Sequence, residues 1–145
     1  MSALVEELDY RPTPMGALSL DLTSDPRCRL VLGDFFAGSA SEVGFDADQP
    51  GRRYHAILVD IDHSPKNVLY PSHAALYTVE GLTRLSAHLH PGGVVALWLN
   101  DPPDDGVQWA LREVFAASEA RIVAFGNMRK DGEVTNTVYV ATRGR

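Results

Sequence analysis

Residues 54–65, YHAILVDIDHSP, decide the fold, because four consecutive apolar residues are followed at once by Asp60, Asp62 and His63. A short apolar run with β-branched side chains predicts a strand buried on both faces, as in a parallel sheet. The polar cluster then lies at the carboxyl end of that strand, which is where ligands bind in open α/β sheets. We therefore expect candidate functional residues directly after this strand.

The residues that follow alternate between helix-like and strand-like patterns. Leucine and valine at spacings of three and four predict an amphipathic helix over 78–90, stopped by Pro-Gly-Gly at 91–93. A second strongly apolar run, 94–99, predicts another buried strand. It also ends in polar residues, Asn100 and Asp101. Two strands thus present polar side chains at the ends where they stop.

The same alternation extends to both ends of this central region. Residues 29–32 predict a strand that ends in Gly-Asp, and residues 35–43 predict a short helix. A further helix is expected to begin near residue 104, followed by strands at 121–125 and 135–142. Strands separated by helices indicate an α/β sandwich with a mainly parallel sheet and an antiparallel final pair.

Composition narrows the function classes. The chain has 145 residues, 45% of them apolar, which is enough for one domain with a hydrophobic core. Its net charge of −6 argues against nucleic acid and anionic membranes as partners, because both bind basic patches. A single cysteine, Cys28, forbids an internal disulfide. No apolar run reaches the length of a membrane span, and no signal-peptide pattern opens the chain, so we expect a cytoplasmic protein.

Four segments in order carry a family resemblance: RLVLGDFF at 29–36, YHAILVDIDHSP at 54–65, LYTVEGLTRLSAHLHPGGVVALWL at 76–99 and NTVYVATR at 136–143. Over this span the chain resembles the spermidine synthase family, the polyamine aminopropyltransferases. The resemblance implies the three-layer, Rossmann-like sheet of the class I S-adenosylmethionine-dependent methyltransferases. It also implies transfer of an aminopropyl or methyl group to an amine or polyamine. The donor would be decarboxylated S-adenosylmethionine or S-adenosylmethionine.

The chain departs from that family in two places. In the active-site motif, His63 stands at the position of the family's second aspartate, and Asp62 comes one residue early. The other departure lies nearer the start of the chain. Between Leu20 and Arg29 lie eight residues, where the family has two strands, a Gly-rich loop and the acid that holds the cofactor's ribose. We therefore expect a β-rich arm over 1–24 and a partial methyltransferase-like domain over 25–145. The shortened sheet would leave an edge beside the strand at 55–60. That edge could be filled by the strand at 29–32, by the arm or by a second chain, and we expect a homo-oligomer.

The resemblance also assigns roles to individual residues. Asp60 stands where the family's general base deprotonates the attacking amine. Asp34 matches the acid that contacts the adenine amino group of the cofactor. Asp62 and His63 are expected to contact the amine or relay its proton, and Tyr70 is expected to line the substrate pocket. Along an extended segment, Asp60 and Asp62 would share one side and His63 would face the other.

Each of these residues has a simpler alternative. Asp60 would then cap a loop, and Asp34 would cap the helix that begins at Phe35. Aromatic side chains such as Tyr70 and Tyr77 are more often core residues than pocket residues. Asp60, Asp62 and His63 could also bind a metal ion, although their spacing in the sequence is not specific to a metal site. The same choice applies to an acidic rim that would suit a polyamine or would cap a helix: Asp101, Asp104 and Asp105.

Overall fold

The computed structural model describes residues 25–126 and 133–145, so the expected arm over 1–24 lies outside the described residues. The chain divides into two compact units, 1–32 and 33–145. In the first unit, an ion pair of 2.6 Å between Arg27 and Asp25 closes a turn. Residues 28–32 then have no regular secondary structure. The strand predicted at 29–32 is therefore wrong, and its apolar side chains are exposed instead of packed, Leu30 by 78% and Leu32 by 86%.

The second unit alternates helices and strands. Its elements are, in order, α1 (Phe35–Ala40), β1 (Tyr54–Val59), a 3-10 helix (Pro71–Tyr77), α2 (Val79–Ala87), β2 (Leu89–Leu99), α3 (Asp105–Val114), β3 (Ala117–Gly126) and β4 (Glu133–Thr142). The α/β class predicted from the sequence is confirmed. The expected helix over 78–90 is shorter, because His88 caps it and the chain enters β2 at Leu89. Pro91-Gly92-Gly93 thus lies inside β2, where Gly92 adopts a positive φ of 76°.

The four strands form one mixed sheet in the order β1-β2-β4-β3. β1 and β2 are parallel, and β4 is antiparallel to both β2 and β3. The predicted antiparallel final pair is confirmed. The expected mainly parallel sheet is wrong for the described residues, because the last strand inserts beside β2 and replaces a parallel ladder with two antiparallel ones. The carboxyl ends of β1 and β2 therefore meet the amino-terminal half of β4 at one edge of the sheet.

Helices cover one face of this sheet. Side chains of α2 and α3 form a single core with alternate residues of the strands, listed by element as Leu82 and Leu85, Val107 and Leu111, Ile57 and Val59, Val95 and Leu97, and Tyr139. On the other face Leu58 is 77% exposed. Burial of β1 on both faces is therefore wrong for the described residues. Within the part of the chain that the structure describes, the helices pack on one face of β1 and leave Leu58 on the other.

Candidate functional site

Polar residues that follow β1 and β2, together with one from β4, lie at the end of the sheet where β1 and β2 terminate. Asp60 and His63 follow β1, Asn100 follows β2, and Asn136 lies near the start of β4. We call these four residues the polar edge. They are brought together because parallel strands end on the same side and the antiparallel β4 begins there, with Thr137 paired to Leu99.

Hydrogen bonds join His63, Asn100 and Asn136 of the polar edge across the strands. The backbone N–H of Asn100 donates to the carbonyl oxygen of His63 at 2.8 Å. The Asn100 side-chain amide lies 3.0 Å from Nδ1 of His63. At its other end, the same amide lies 3.0 Å from the carboxamide of Asn136. The segment after β1 is thus fixed to the end of β2, and the His63 ring has a defined position.

Asp60 and Asp62 occupy different environments. Asp60 is exposed, whereas the Asp62 residue is only 4% exposed. The expectation that they share one side of an extended segment is wrong, because the chain leaves the strand after Val59 and turns Asp62 inward. Only Asp60 is placed to meet a ligand from solvent.

Asp62 is the centre of a second group of side chains, which we call the carboxylate cluster: Asp62, Leu69, His73 and Tyr77. Its Oδ1 accepts from the Leu69 backbone N–H at 2.8 Å and lies 2.9 Å from Nδ1 of His73. Its Oδ2 accepts from the Tyr77 hydroxyl at 3.0 Å. One carboxylate therefore ties the loop after β1 to the 3-10 helix.

The cluster also fixes protonation states. Burial raises the pKa of Asp62, but hydrogen bonds from His73, Leu69 and Tyr77 outweigh it and leave that pKa below its usual value. Burial and the hydrogen bond to Asp62 raise the pKa of Tyr77 far above its usual range. At neutral pH Asp62 is a carboxylate with its partners in place, so its role in this structure is to hold the loop.

Tyr70 and His73 lie beside this cluster. Tyr70 is 65% exposed and meets the His73 ring edge to face, with centroids 5.3 Å apart. His73 also stacks on Phe36 at a centroid distance of 3.5 Å. Sequence reasoning missed His73, because it lies eleven residues from Asp62 in a short 3-10 helix without a periodic apolar pattern. Tyr70 is exposed and packs on His73 of the carboxylate cluster, so it is not a core residue.

Asp34 caps α1, as the simpler alternative proposed. Its Oδ1 accepts from the backbone N–H groups of Phe36 and Ala37 at 2.9 and 3.1 Å. The same residue lines a cleft of about 320 Å³ together with Phe36, Leu76 and Gly81. That volume suits a small ligand. Capping and contact with a ligand in the cleft are compatible for this carboxylate.

The acidic rim already holds a cation of its own. Lys66 Nζ lies 2.7 Å from Asp104 Oδ2, and Asp104 Oδ1 accepts from the Val107 N–H at the start of α3. The hydrogen bond to Asp104 raises the pKa of Lys66, and the same bond lowers the pKa of Asp104. The helix-capping alternative is thus observed for Asp104, and a polyamine would have to displace Lys66 there.

Two general features of the described residues bear on function. Within residues 25–126 and 133–145, no three histidine, cysteine or acidic side chains are grouped so as to hold a metal ion. Over the same residues, no helix has the length and apolar character needed to cross a membrane.

Comparisons with known proteins add no assignment. No protein-family model matches the chain. No curated protein matches it either.

Proposed function

We propose that this chain is a spermidine synthase-like transferase domain that binds a small amine or polyamine at the polar edge. The observation that supports this proposal best is the exposed carboxylate of Asp60 at the carboxyl end of β1, next to a strand end carrying Asn100. A carboxylate attracts an ammonium group, and amide oxygens accept its hydrogen bonds. Asp62 does not compete for this role, because its oxygens are used within the carboxylate cluster.

In the proposed reaction, the carboxylate of Asp60 holds the acceptor nitrogen by charge. An S-adenosyl donor supplies a carbon bound to a sulfonium; the amine lone pair forms the new C–N bond while the C–S pair leaves with sulfur. The proton released by the alkylated nitrogen passes to a base of this chain. Asp60 is the group that the family resemblance places there.

The described residues fit the acceptor better than the donor. The cleft beside Asp34 has room for an adenine, and Phe36 offers it an aromatic side chain. A glycine turn at a strand end, which would allow close approach to the ribose, has no counterpart among residues 25–60 of the described chain. The donor half of the proposal therefore rests on the resemblance and on this cleft.

Calorimetric titration tests the donor half. The protein is titrated with S-adenosylmethionine, its decarboxylated form and methylthioadenosine. Saturable binding near micromolar affinity, about −8 kcal/mol, is expected for one of them. No heat with any of the three would overturn transfer as the function of this chain.

The acceptor half is tested with putrescine as the probe. Asp60→Asn should weaken putrescine binding about tenfold or more, because the charge that attracts the ammonium is removed. Glu113→Gln is a matched control, since Glu113 is an exposed acid on α3. Equal affinities of the Asp60→Asn and Glu113→Gln variants would reject Asp60 as the amine contact.

A second candidate function is a non-catalytic binding or assembly module that forms a homo-oligomer. It is favoured by the position of β1 at the edge of the described sheet and by the exposed Leu58 on its open face. Unpaired edge strands can pair with another chain. Light scattering that shows only the 15.8 kDa monomer at micromolar concentrations would reject this candidate.

A further inference from the structure

We infer that Trp98, Asn136 and Asn100 hold the His63 imidazole in one tautomer, with the proton on Nδ1, so that Nε2 accepts a proton from the bound amine. The amine part of this inference rests on the proposed function, whereas the tautomer does not. His63 is an exposed residue, so its ring is reachable from solvent. Trp98, Asn136 and Asn100 are positioning residues in this arrangement.

The direction of the hydrogen bonds is set at Trp98. An indole N–H can only donate. Nε1 of Trp98 lies 2.5 Å from one terminal atom of the Asn136 carboxamide, so that atom is the oxygen. The Asn136 nitrogen then donates to the carbonyl oxygen of Thr135 at 3.0 Å. The orientation of a side-chain amide is assigned in this way, from what its two ends can satisfy.

The same oxygen of Asn136 orients Asn100. It lies 3.0 Å from one end of the Asn100 amide, and two carbonyl oxygens at that distance would repel. That end of Asn100 is therefore its NH₂ group, which donates to Asn136. The carbonyl oxygen of Asn100 is then the atom 3.0 Å from His63 Nδ1, and Nδ1 must carry a hydrogen to complete the contact.

Burial and the sheet make this orientation costly to reverse. Asn136 is only 8% exposed, so an unsatisfied amide there would cost the desolvation of a polar group. The pairing of Leu99 with Thr137 places Asn136 beside Asn100. Asn100 is also fixed by its backbone N–H, which donates to the His63 carbonyl oxygen. Reversing any one amide would leave two donors or two acceptors facing each other.

This tautomer gives His63 a chemical role. When the ammonium of the bound acceptor loses its proton, the proton moves to Nε2 and the nitrogen keeps its electron pair for attack on the donor carbon. The imidazolium that results still donates from Nδ1 to Asn100, so no hydrogen bond is rearranged. Imidazole changes its charge closest to neutral pH of all side chains, which suits a proton acceptor. Asp60 holds the ammonium by charge before this transfer and takes the proton of the alkylated nitrogen after the attack.

The tautomer is measured directly by NMR on the full chain labelled at the histidine nitrogens. At a pH where the His63 ring is neutral, we expect its proton on Nδ1, whereas free histidine prefers the Nε2–H form. An Nε2–H form of His63 in the wild-type protein would overturn the inference. This measurement needs no variant and no activity.

Variants test whether the chain of hydrogen bonds from Trp98 to His63, and not general packing, sets the tautomer. Trp98→Phe removes the indole N–H and should shift the His63 population toward the Nε2–H form, while Trp109→Phe, an exposed tryptophan on α3, should leave it unchanged. Asn100→Leu should remove the preference, and Asn100→Asp should restore it, because a carboxylate also accepts from Nδ1–H. If the His63 tautomer is unchanged in Asn100→Leu, this chain of hydrogen bonds does not set it.

Addition of putrescine, at ionic strength matched with sodium chloride, tests the acceptor role. The His63 Nε2 signal should move as the amine binds, and an unmoved signal would overturn that role. A moved signal combined with no donor heat in the calorimeter would reject group transfer and leave the amine contact standing. The two failures are thus distinguishable.

Discussion

Asp62 on one hand and Asp60 and His63 on the other show how neighbouring residues of one turn serve opposite purposes. Asp62 is buried, and its carboxylate receives hydrogen bonds from three groups that fix a loop and a 3-10 helix. Asp60 and His63 are exposed, and His63 is joined to the next strand through Asn100. Within one polar motif at a strand end, some side chains thus have all their hydrogen bonds supplied by the protein, and others are exposed and free to contact a ligand.

The largest expected effect on stability comes from substitution of Asp62, the buried aspartate. Asp62→Ala should lower the free energy of unfolding by about 3–5 kcal/mol, because His73, Tyr77 and Leu69 lose a buried charged partner. Asp60→Ala should change it by about 0.5 kcal/mol or less, since Asp60 is exposed. Urea unfolding of both variants measures the two values. Similar losses for both would break the distinction between the two aspartates.

The acid dependence of stability sharpens the same point. The folded-state pKa of Asp62 is lowered, so its contribution is complete above the ordinary aspartate value of about 3.9 and is lost as the pH falls through the lowered value. Urea unfolding between about pH 5 and pH 2 should therefore lose stability more steeply in the wild-type protein than in Asp62→Asn. If stability falls with pH equally in the wild-type protein and in Asp62→Asn, the partners of Asp62 do not lower its pKa.

A smaller effect is expected for a single hydrogen bond of the cluster. Tyr77→Phe keeps the ring in the core and removes the hydroxyl that donates to Asp62, which should cost about 1.5–3 kcal/mol of unfolding free energy. Tyr70→Phe is the control, because Tyr70 is exposed. Thermal or urea unfolding compares them. If the two variants are equally stable, the Tyr77 hydroxyl does not support the cluster.

The smallest effect is expected at the exposed pair of Lys66 and Asp104. Lys66→Ala should lower the melting temperature only slightly at low salt, and the difference should vanish at high salt, because surface ion pairs are screened. The loss caused by Asp62→Ala should persist at high salt, since that carboxylate is buried. A salt-independent effect of Lys66→Ala would contradict the contrast between screened and buried charges.

How much could be predicted from the sequence differs between elements. The strand after Tyr54, the helix that begins after Thr78 and the antiparallel final pair follow from local periodicity and capping. The exposure of Leu58 could not be predicted, because an apolar strand has the same composition whether one or both of its faces are covered. Leu30 and Leu32 show the same ambiguity, since an apolar run predicts a strand only if a partner pairs with it.

The candidate site was predicted in part for similar reasons. Polar residues after two parallel strands correctly place Asp60, His63 and Asn100 at one edge of the sheet. The burial of Asp62 depends on His73 and Tyr77, which both come from a 3-10 helix without a periodic signal. Asn136 was missed as well, because its place beside Asn100 depends on the register of β4.

The most direct test of the account is an amide NMR spectrum recorded during a putrescine titration at constant ionic strength. We predict shifts concentrated at Asp60, His63 and Asn100. The signals of Leu69 and Tyr77 should not move, because the hydrogen bonds of the carboxylate cluster are all made within the protein. Shifts centred on the cluster, or no shifts at the polar edge, would contradict it.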